Sequence, residues 1–435
     1  MDIHHRISRV MNKFIISLVA VAIALAPISV LLSQEGLFTN IYENREEFVH
    51  MDRMSNGNIL VSGKSHALGN KSDLVLLLGP GGQELKRKVL CPSCAADLVY
   101  YSRETLVGDI IHVRANGDVL ASDLDLENTE LLYNIAEDRF ESIQTYQVLE
   151  HQNFIIVVSY AVENSVRGLL HTVIDTRQKV IWSQKFNVEF PDIAGSIGID
   201  LFDDGGVVDG FNSFEDGIST AHLIRLGNDR SEQVWEVILA DEDIILEDVM
   251  VTHSDDVYAV GTVLDPNDAN HRQGILVGFD GEGNQLVKAT FDSELKDDSN
   301  YTNVTKTLLE VTEKPDGNLL ISGYVGGRLE GENVSRAIFV EVTREGKFVN
   351  GFSESVITNN NLGISFLAEK NGGYLLLGNA FNNNSNSGAF ITFTNFTSDV
   401  DEVIAGPTFL MSFPCLLYTS PSPRDATLSR MPSSA

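Results

Sequence analysis

The feature that most constrains this chain is a strand, polar turn and strand unit that recurs seven times. Clear copies are "MSNGNILVSG" around Gly57, "DDGGVVDGF" at Gly205, "HSDDVYAVGT" at Asp256, "KPDGNLLISGY" at Gly317 and "KNGGYLLLGNA" at Gly372. With turns near Arg103 and Gln152 added, the set falls at about 57, 104, 153, 205, 256, 317 and 372, in steps of roughly 50 residues. A second hairpin runs between the copies, as in "DLVLLLGPGGQELKRKV" and "GILVGFDGEGNQLVKATF". Asn-Gly, Asp-Gly and Gly-Gly pairs supply the positive φ that tight hairpins need, and they punctuate runs of Val, Ile and Leu. Each period therefore predicts four short strands.

A four-stranded sheet that is apolar on both faces cannot bury them alone, whereas such sheets stacked around an axis cover one another. The expectation is an all-β fold, a β-propeller of seven four-stranded blades over residues 34–414. A solenoid or tandem sandwiches is the alternative. "PDGNLLISGY" and "GFDGEGNQLVKATF" resemble the Gly- and Asp-rich repeats of secreted bacterial β-propeller proteins. "IDTRQKVIWSQ" resembles the repeat of quinoprotein-type propellers, with Gln178 where Gly is expected. The resemblance covers about residues 45–405 and implies a fold, not an activity. The strand that completes the last blade comes either from residues 36–48 or from beyond Pro414.

The two ends read differently from the middle. Lys13 precedes an apolar run from Phe14 to Leu32, with Arg6 and Arg9 further upstream, the charge-then-apolar order of a secretory signal. Residues 1–33 are expected to form a signal peptide, with Met11 as a second possible start, or an uncleaved N-terminal anchor helix. Both place the bulk of the chain outside the cytoplasm, in the periplasm, the medium or the cell surface, and the blade style suggests a bacterium. At the other end, Cys415 to Asp425 and Ser429 to Ala435 resemble, residue for residue, translated sequencing-adapter DNA on either side of an index-sized gap. Residues 415–435 are therefore expected to be a disordered read-through of a draft or environmental assembly, with the natural C-terminus lost.

Composition narrows the partners. With 31 Lys and Arg against 61 Asp and Glu, the net charge of −30 repels phosphate backbones and anionic lipid. Nucleic acid is thus not an expected partner, and a membrane is one only through the N-terminal segment. A protein, glycan or small-molecule ligand is expected, on a monomer.

Motifs for chemistry are sparse. Cys91 and Cys94 in "CPSC" read as a local disulfide in an exported protein; a thioredoxin-like site would need a helix after them, and zinc a second pair. Of the acidic turns, "VLDPNDANH" offers Asp265 and Asp268 as candidate calcium ligands, although no full calcium-loop pattern occurs and no cofactor is required. His151, His222 and His253 fall singly in or beside hairpins, and Trp182 and Trp235 occupy equivalent places that suit core packing. No nucleophile elbow, P-loop or dinucleotide fingerprint is present. The expected function is a non-catalytic binding or scaffold module. The alternative is an enzyme, a quinoprotein-like dehydrogenase, hydrolase or lyase, with its residues gathered at a central channel from several blades.

Overall fold

Runs such as Ile59–Ser65 and Ser72–Leu78 are buried at nearly every position, so their sheet is covered on both faces. The strand that follows them, Glu84–Lys88, is mostly exposed and forms the sheet's outer edge. The computed structural model describes most of residues 38–394, the longest gaps being 91–98, 187–197 and 293–300. The segments 1–33 and 415–435, with the signal or anchor helix and the tail expected there, and the Cys91–Cys94 pair lie outside the described residues.

The strands, in chain order, are β1 (Phe38–Tyr42), β2 (Glu46–Arg53), β3 (Ile59–Ser65), β4 (Ser72–Leu78), β5 (Glu84–Lys88), β6 (Val99–Glu104), β7 (Ile110–Arg114), β8 (Asp118–Ser122), β9 (Thr129–Asn134), β10 (Ser142–His151), β11 (Phe154–Glu163), β12 (Val166–Asp175), β13 (Ile181–Phe186) and β14 (Gly198–Leu201). They continue as β15 (Val207–Glu215), β16 (Ile218–Leu226), β17 (Gln233–Leu239), β18 (Ile244–Val251), β19 (Val257–Asp265), β20 (Asp268–Phe279), β21 (Gln285–Phe291), β22 (Tyr301–Glu313), β23 (Leu319–Leu329), β24 (Glu332–Val342), β25 (Phe348–Glu354), β26 (Asn360–Ala368), β27 (Tyr374–Phe381) and β28 (Ser387–Thr394).

Seven separate blades are not what these strands make. They form five sheets: β2–β5, β6–β9, β10–β13 and β14–β17 with four strands each, and one sheet of twelve. The physical reason lies in strand length. β20, β22 and β24 run for 12, 13 and 11 residues, long enough for parallel bridges at Arg272↔Thr305 and Ser335↔Asn360 to fuse what periodicity separates. The expectation of seven blades is thereby corrected to an all-β arrangement of five sheets in a propeller-like ring. The expected N-terminal helix gains no support either, since no helix occurs among the described residues. β1 pairs antiparallel with β28, so the N-terminal side of the chain supplies the strand beside the last hairpin.

The ring follows from how first strands meet. β2, β6, β10, β14, β18, β22 and β26 neighbour one another in that order, and β26 returns to β2. Apolar side chains fill the space between successive sheets, as where Phe202, Val208 and Leu223 meet Val249, Ala259 and Val277. Most first strands carry a bulge, for example between Leu246 and Asp248. A Cβ on Gly261, opposite that bulge, would lie 2.0 Å from the Ile245 carbonyl oxygen, so only glycine fits there. At the turn after β2, Gly57 has φ of +84° and donates to the Met54 carbonyl. Asp255 takes the corresponding place after β18 with φ of +62°.

Candidate functional site

Two groups of polar side chains stand apart from ordinary surface pairs. The first lies where β19, β20 and β21 end together. Asp265 closes β19, and a two-residue turn leads to Asp268, its register partner on β20. The next aligned pair is Leu264↔Arg272, so residues 269–271 bulge out of the ladder and swing His271 inward. Asp292 follows directly on β21, whose Phe291 pairs with Gly274 of β20. These connections bring one oxygen of Asp265, one nitrogen of His271 and one oxygen of Asp292 within 4.8 Å of one another. Such a group of Asp and His side chains is able to coordinate a metal ion.

Asp265 and His271 are buried, whereas half of the Asp292 side chain is exposed. His271 Nδ1 lies 3.1 Å from the Val304 carbonyl oxygen and Nε2 lies 2.5 Å from Asp292 Oδ1. Asp265 Oδ1 accepts from the Asn267 backbone N–H at 2.8 Å, and its other oxygen faces Gln273 Nε2 at 3.4 Å. Of the two calcium ligands expected from sequence, Asp265 belongs to the group and Asp268 does not. Asp268 is exposed and accepts the Asn270 N–H at 2.9 Å. His271 and Asp292 were not legible as partners, because the bulge and the β20–β21 pairing that unite them leave no spacing signature.

The second group runs along the first strands. Gln147 accepts the Ile199 N–H at 2.9 Å, Asp200 the Val251 N–H at 2.6 Å, and Asp248 the Val311 N–H at 2.9 Å. Asn212 and Asn379 act similarly from second strands, each bonding both backbone groups of one residue, Leu246 and Phe48 respectively. Burial pushes the Asp200 carboxyl up to about 6 and that of Asp248 up to about 7, against the lowering effect of the backbone N–H groups they accept. The Asp200 charge adds to the rise at Asp248.

The single histidines take structural surroundings. His222 stacks on Phe211 with ring centroids 4.8 Å apart and bonds Ser213 Oγ at 2.9 Å. His253 sits exposed at a turn, paired with Glu313. His112, which sequence reading passed over, is buried between Ser102 and Ser122, and burial lowers it to about 3. His151 lies in β10 and Trp182 in β13. Trp235 packs on the apolar cluster of Phe202 and Val208 and donates to the Gly281 carbonyl at 3.0 Å.

No family model matches the chain, and no curated protein matches it. The kinship expected with secreted bacterial propeller repeats is thus not supported. Among solved structures, the chain is similar to the extracellular domain of a hybrid two-component system from B. thetaiotaomicron, at TM-score 0.49 and 11% identity over 82% of this chain and 41% of that one. It therefore spans less than half the length of that protein. It is also similar to an oligogalacturonate lyase from Vibrio parahaemolyticus, at TM-score 0.47 and 9% identity over 83% and 94% of the two chains. A third is Chaetomium thermophilum Sqt1 bound to the N-terminus of ribosomal protein L10, at TM-score 0.46 and 11% identity over 82% and 98%. Likenesses at this level assign neither a family nor an activity.

Proposed function

We propose that the protein is an exported, non-catalytic binding or scaffold module, which holds a protein, glycan or small ligand on its ring of sheets as a monomer outside the cytoplasm. The observation that carries this reading is the use made of polar side chains between first strands. Gln147, Asp200 and Asp248 each accept a backbone N–H of the next first strand, which suits a rigid frame for display. The acidic charge and the charge-then-apolar N-terminus favour export and argue against nucleic acid as the partner.

A second reading has one observation in its favour. Burial raises two neighbouring carboxyls, Asp200 and Asp248, to about 6 and about 7, the range in which a carboxyl can serve as a general acid or base, which suits a hydrolase or lyase more than a redox enzyme. The test is an array of oligosaccharides and peptides probed with the purified chain, followed by mass spectrometry of each bound compound. Saturable binding with the compound recovered intact is expected. Conversion of a compound that is abolished in Asp200→Asn and Asp248→Asn would replace the binding reading with the enzymatic one.

A further inference from the structure

We propose that Asp265, His271 and Asp292 form a binding site for a divalent transition-metal ion of the zinc type, not for calcium. The argument begins with the imidazole. A carbonyl oxygen only accepts, so the 3.1 Å contact with Val304 requires a proton on His271 Nδ1. With that proton placed, Nε2 is the ring atom left to face the carboxylates. That atom faces Asp292 Oδ1 at 2.5 Å, with an oxygen of Asp265 in the same group. Either a proton on Nε2, which makes an imidazolium paired with Asp292, or a metal ion in its place satisfies these oxygens, and three ligand atoms this close together suit the ion. Metal-bound histidines commonly make this arrangement, one nitrogen on the ion and the other N–H on a backbone carbonyl.

The surroundings suit an ion. Val304 adjoins Thr305, whose bridge to Arg272 fuses β20 to β22, so the carbonyl that orients the ring is itself held in a sheet. The Arg272 guanidinium is bound by the Asp243 carboxylate and lies 3.3 Å from the Asp243 carbonyl. His271 and Asp265 are buried to within 2% of full cover, and Asp292 is 51% exposed. Asp292 is thus the natural entry side, and the 2.5 Å contact has to widen for an ion to lie about 2.0–2.2 Å from each atom.

The donor set decides the class of ion. Calcium takes six to eight oxygens, whereas one imidazole and two carboxylates form a three-ligand set of the kind zinc accepts with a fourth position open. Water or a ligand's carboxylate would complete the shell, with the exposed Asp292 as the accessible side. Asp268, engaged by Asn270 on the outside of the turn, takes no part.

The test uses the full chain with Cys91, Cys94 and Cys415 changed to Ser, because thiolates bind zinc themselves. After dialysis against a chelator, zinc chloride and calcium chloride are titrated separately by calorimetry near neutral pH. One zinc ion per chain is expected, bound at least about a hundredfold tighter than calcium. His271→Ala and the exposed Asp292→Ala are each expected to weaken zinc by at least about tenfold, and Asp268→Asn to leave it unchanged. Circular dichroism and the melting temperature confirm that each variant is folded, and Asp292→Ala answers if the buried variant is not. Cobalt(II) should give visible d–d absorption that Asp292→Ala diminishes. A folded parent chain that binds no zinc, that prefers calcium, or whose zinc affinity is indifferent to Asp292→Ala would overturn the assignment.

Discussion

The two ends of the ring handle charge in opposite ways. At one end lie the turns that follow first and third strands, and they are laced to one another by pairs that are mostly exposed or half-buried, Glu313 being the buried member. Ser55 bonds Glu104 at 2.6 and 2.7 Å, Asp203 bonds Asp255 at 3.2 Å, and Arg344 joins Ser254, Asp256 and Glu313. At the other end lie the turns that follow second strands, and there several charges are buried although Asp268 and Asp292 stay exposed. Arg114 and Asp73 are 2% and 0% exposed in their pair, and Asp265 and His271 are equally covered. Open pairs are screened by solvent and individually weak, whereas buried ones must be matched closely or they destabilise the fold. The open end holds the ring's turns in register, and the other, more covered end is where the candidate metal ligands gather.

The comparison is broken most severely at the covered end. Asp73→Ala leaves the Arg114 guanidinium with only Asp118, at 3.0 Å, and is expected to lower unfolding stability by about 3 kcal/mol in urea denaturation. The double variant Asp73→Leu, Arg114→Met should regain most of that loss, because a well-packed apolar pair avoids the desolvation cost.

A smaller effect separates the first-strand acids from the open turns by pH. Asp200 and Asp248 are raised in the folded protein from an ordinary 3.8 to about 6 and about 7. Between those values the folded protein holds more protons than the unfolded chain, so this part of the stability falls as pH rises through the window. At the open end Glu313 behaves oppositely. Burial raises its carboxyl, but His253 and Arg344 hold it below the usual range, so its contribution is lost as pH falls through that lowered value. Asp248→Asn keeps an acceptor for the Val311 N–H and loses the titration. Melting temperatures from acid to mildly alkaline pH should fall less steeply in this variant, and a slope equal to the parent's would refute the assignment.

The smallest effect is expected at the open end itself. Arg344→Ala removes a partly exposed guanidinium from Glu313 and Asp256, and should cost at most about 1 kcal/mol and less in high salt. A loss as large as that of Asp73→Ala would erase the distinction between the ends.

The all-β hairpins were legible in the sequence while the number of sheets was not, and the reasons can be named. Turn glycines such as Gly57 and Gly317 mark hairpins because their φ exceeds +80°, a region that side chains disfavour. The hairpin at Asp255 shows how a non-glycine residue in the same conformation blurs that mark. The glycine near the middle of a second strand, Gly261 in "AVG" and Gly323 in "ISG", records close approach by a neighbouring carbonyl, since a Cβ there would lie 2.0 and 2.1 Å from it. That signal was printed in the repeat but needs the bulge to be understood. Sheet fusion was not legible, because single parallel bridges at Arg272 and Ser335 depend on how far strands extend past their turns. Of the candidate metal group only Asp265 was found, since its partners come from a bulge and from the residue after another strand.

The most direct test of the account is to map a bound array ligand onto the two ends. Affinities would be measured for the parent chain, for Asp292→Ala at the covered end and for Arg344→Ala at the open end, with the ligand analysed after each titration. The account predicts saturable binding of an unchanged ligand, weakened by Asp292→Ala and indifferent to Arg344→Ala. Binding lost only in Arg344→Ala, conversion of the ligand, or no saturable binding to any glycan or peptide would contradict it.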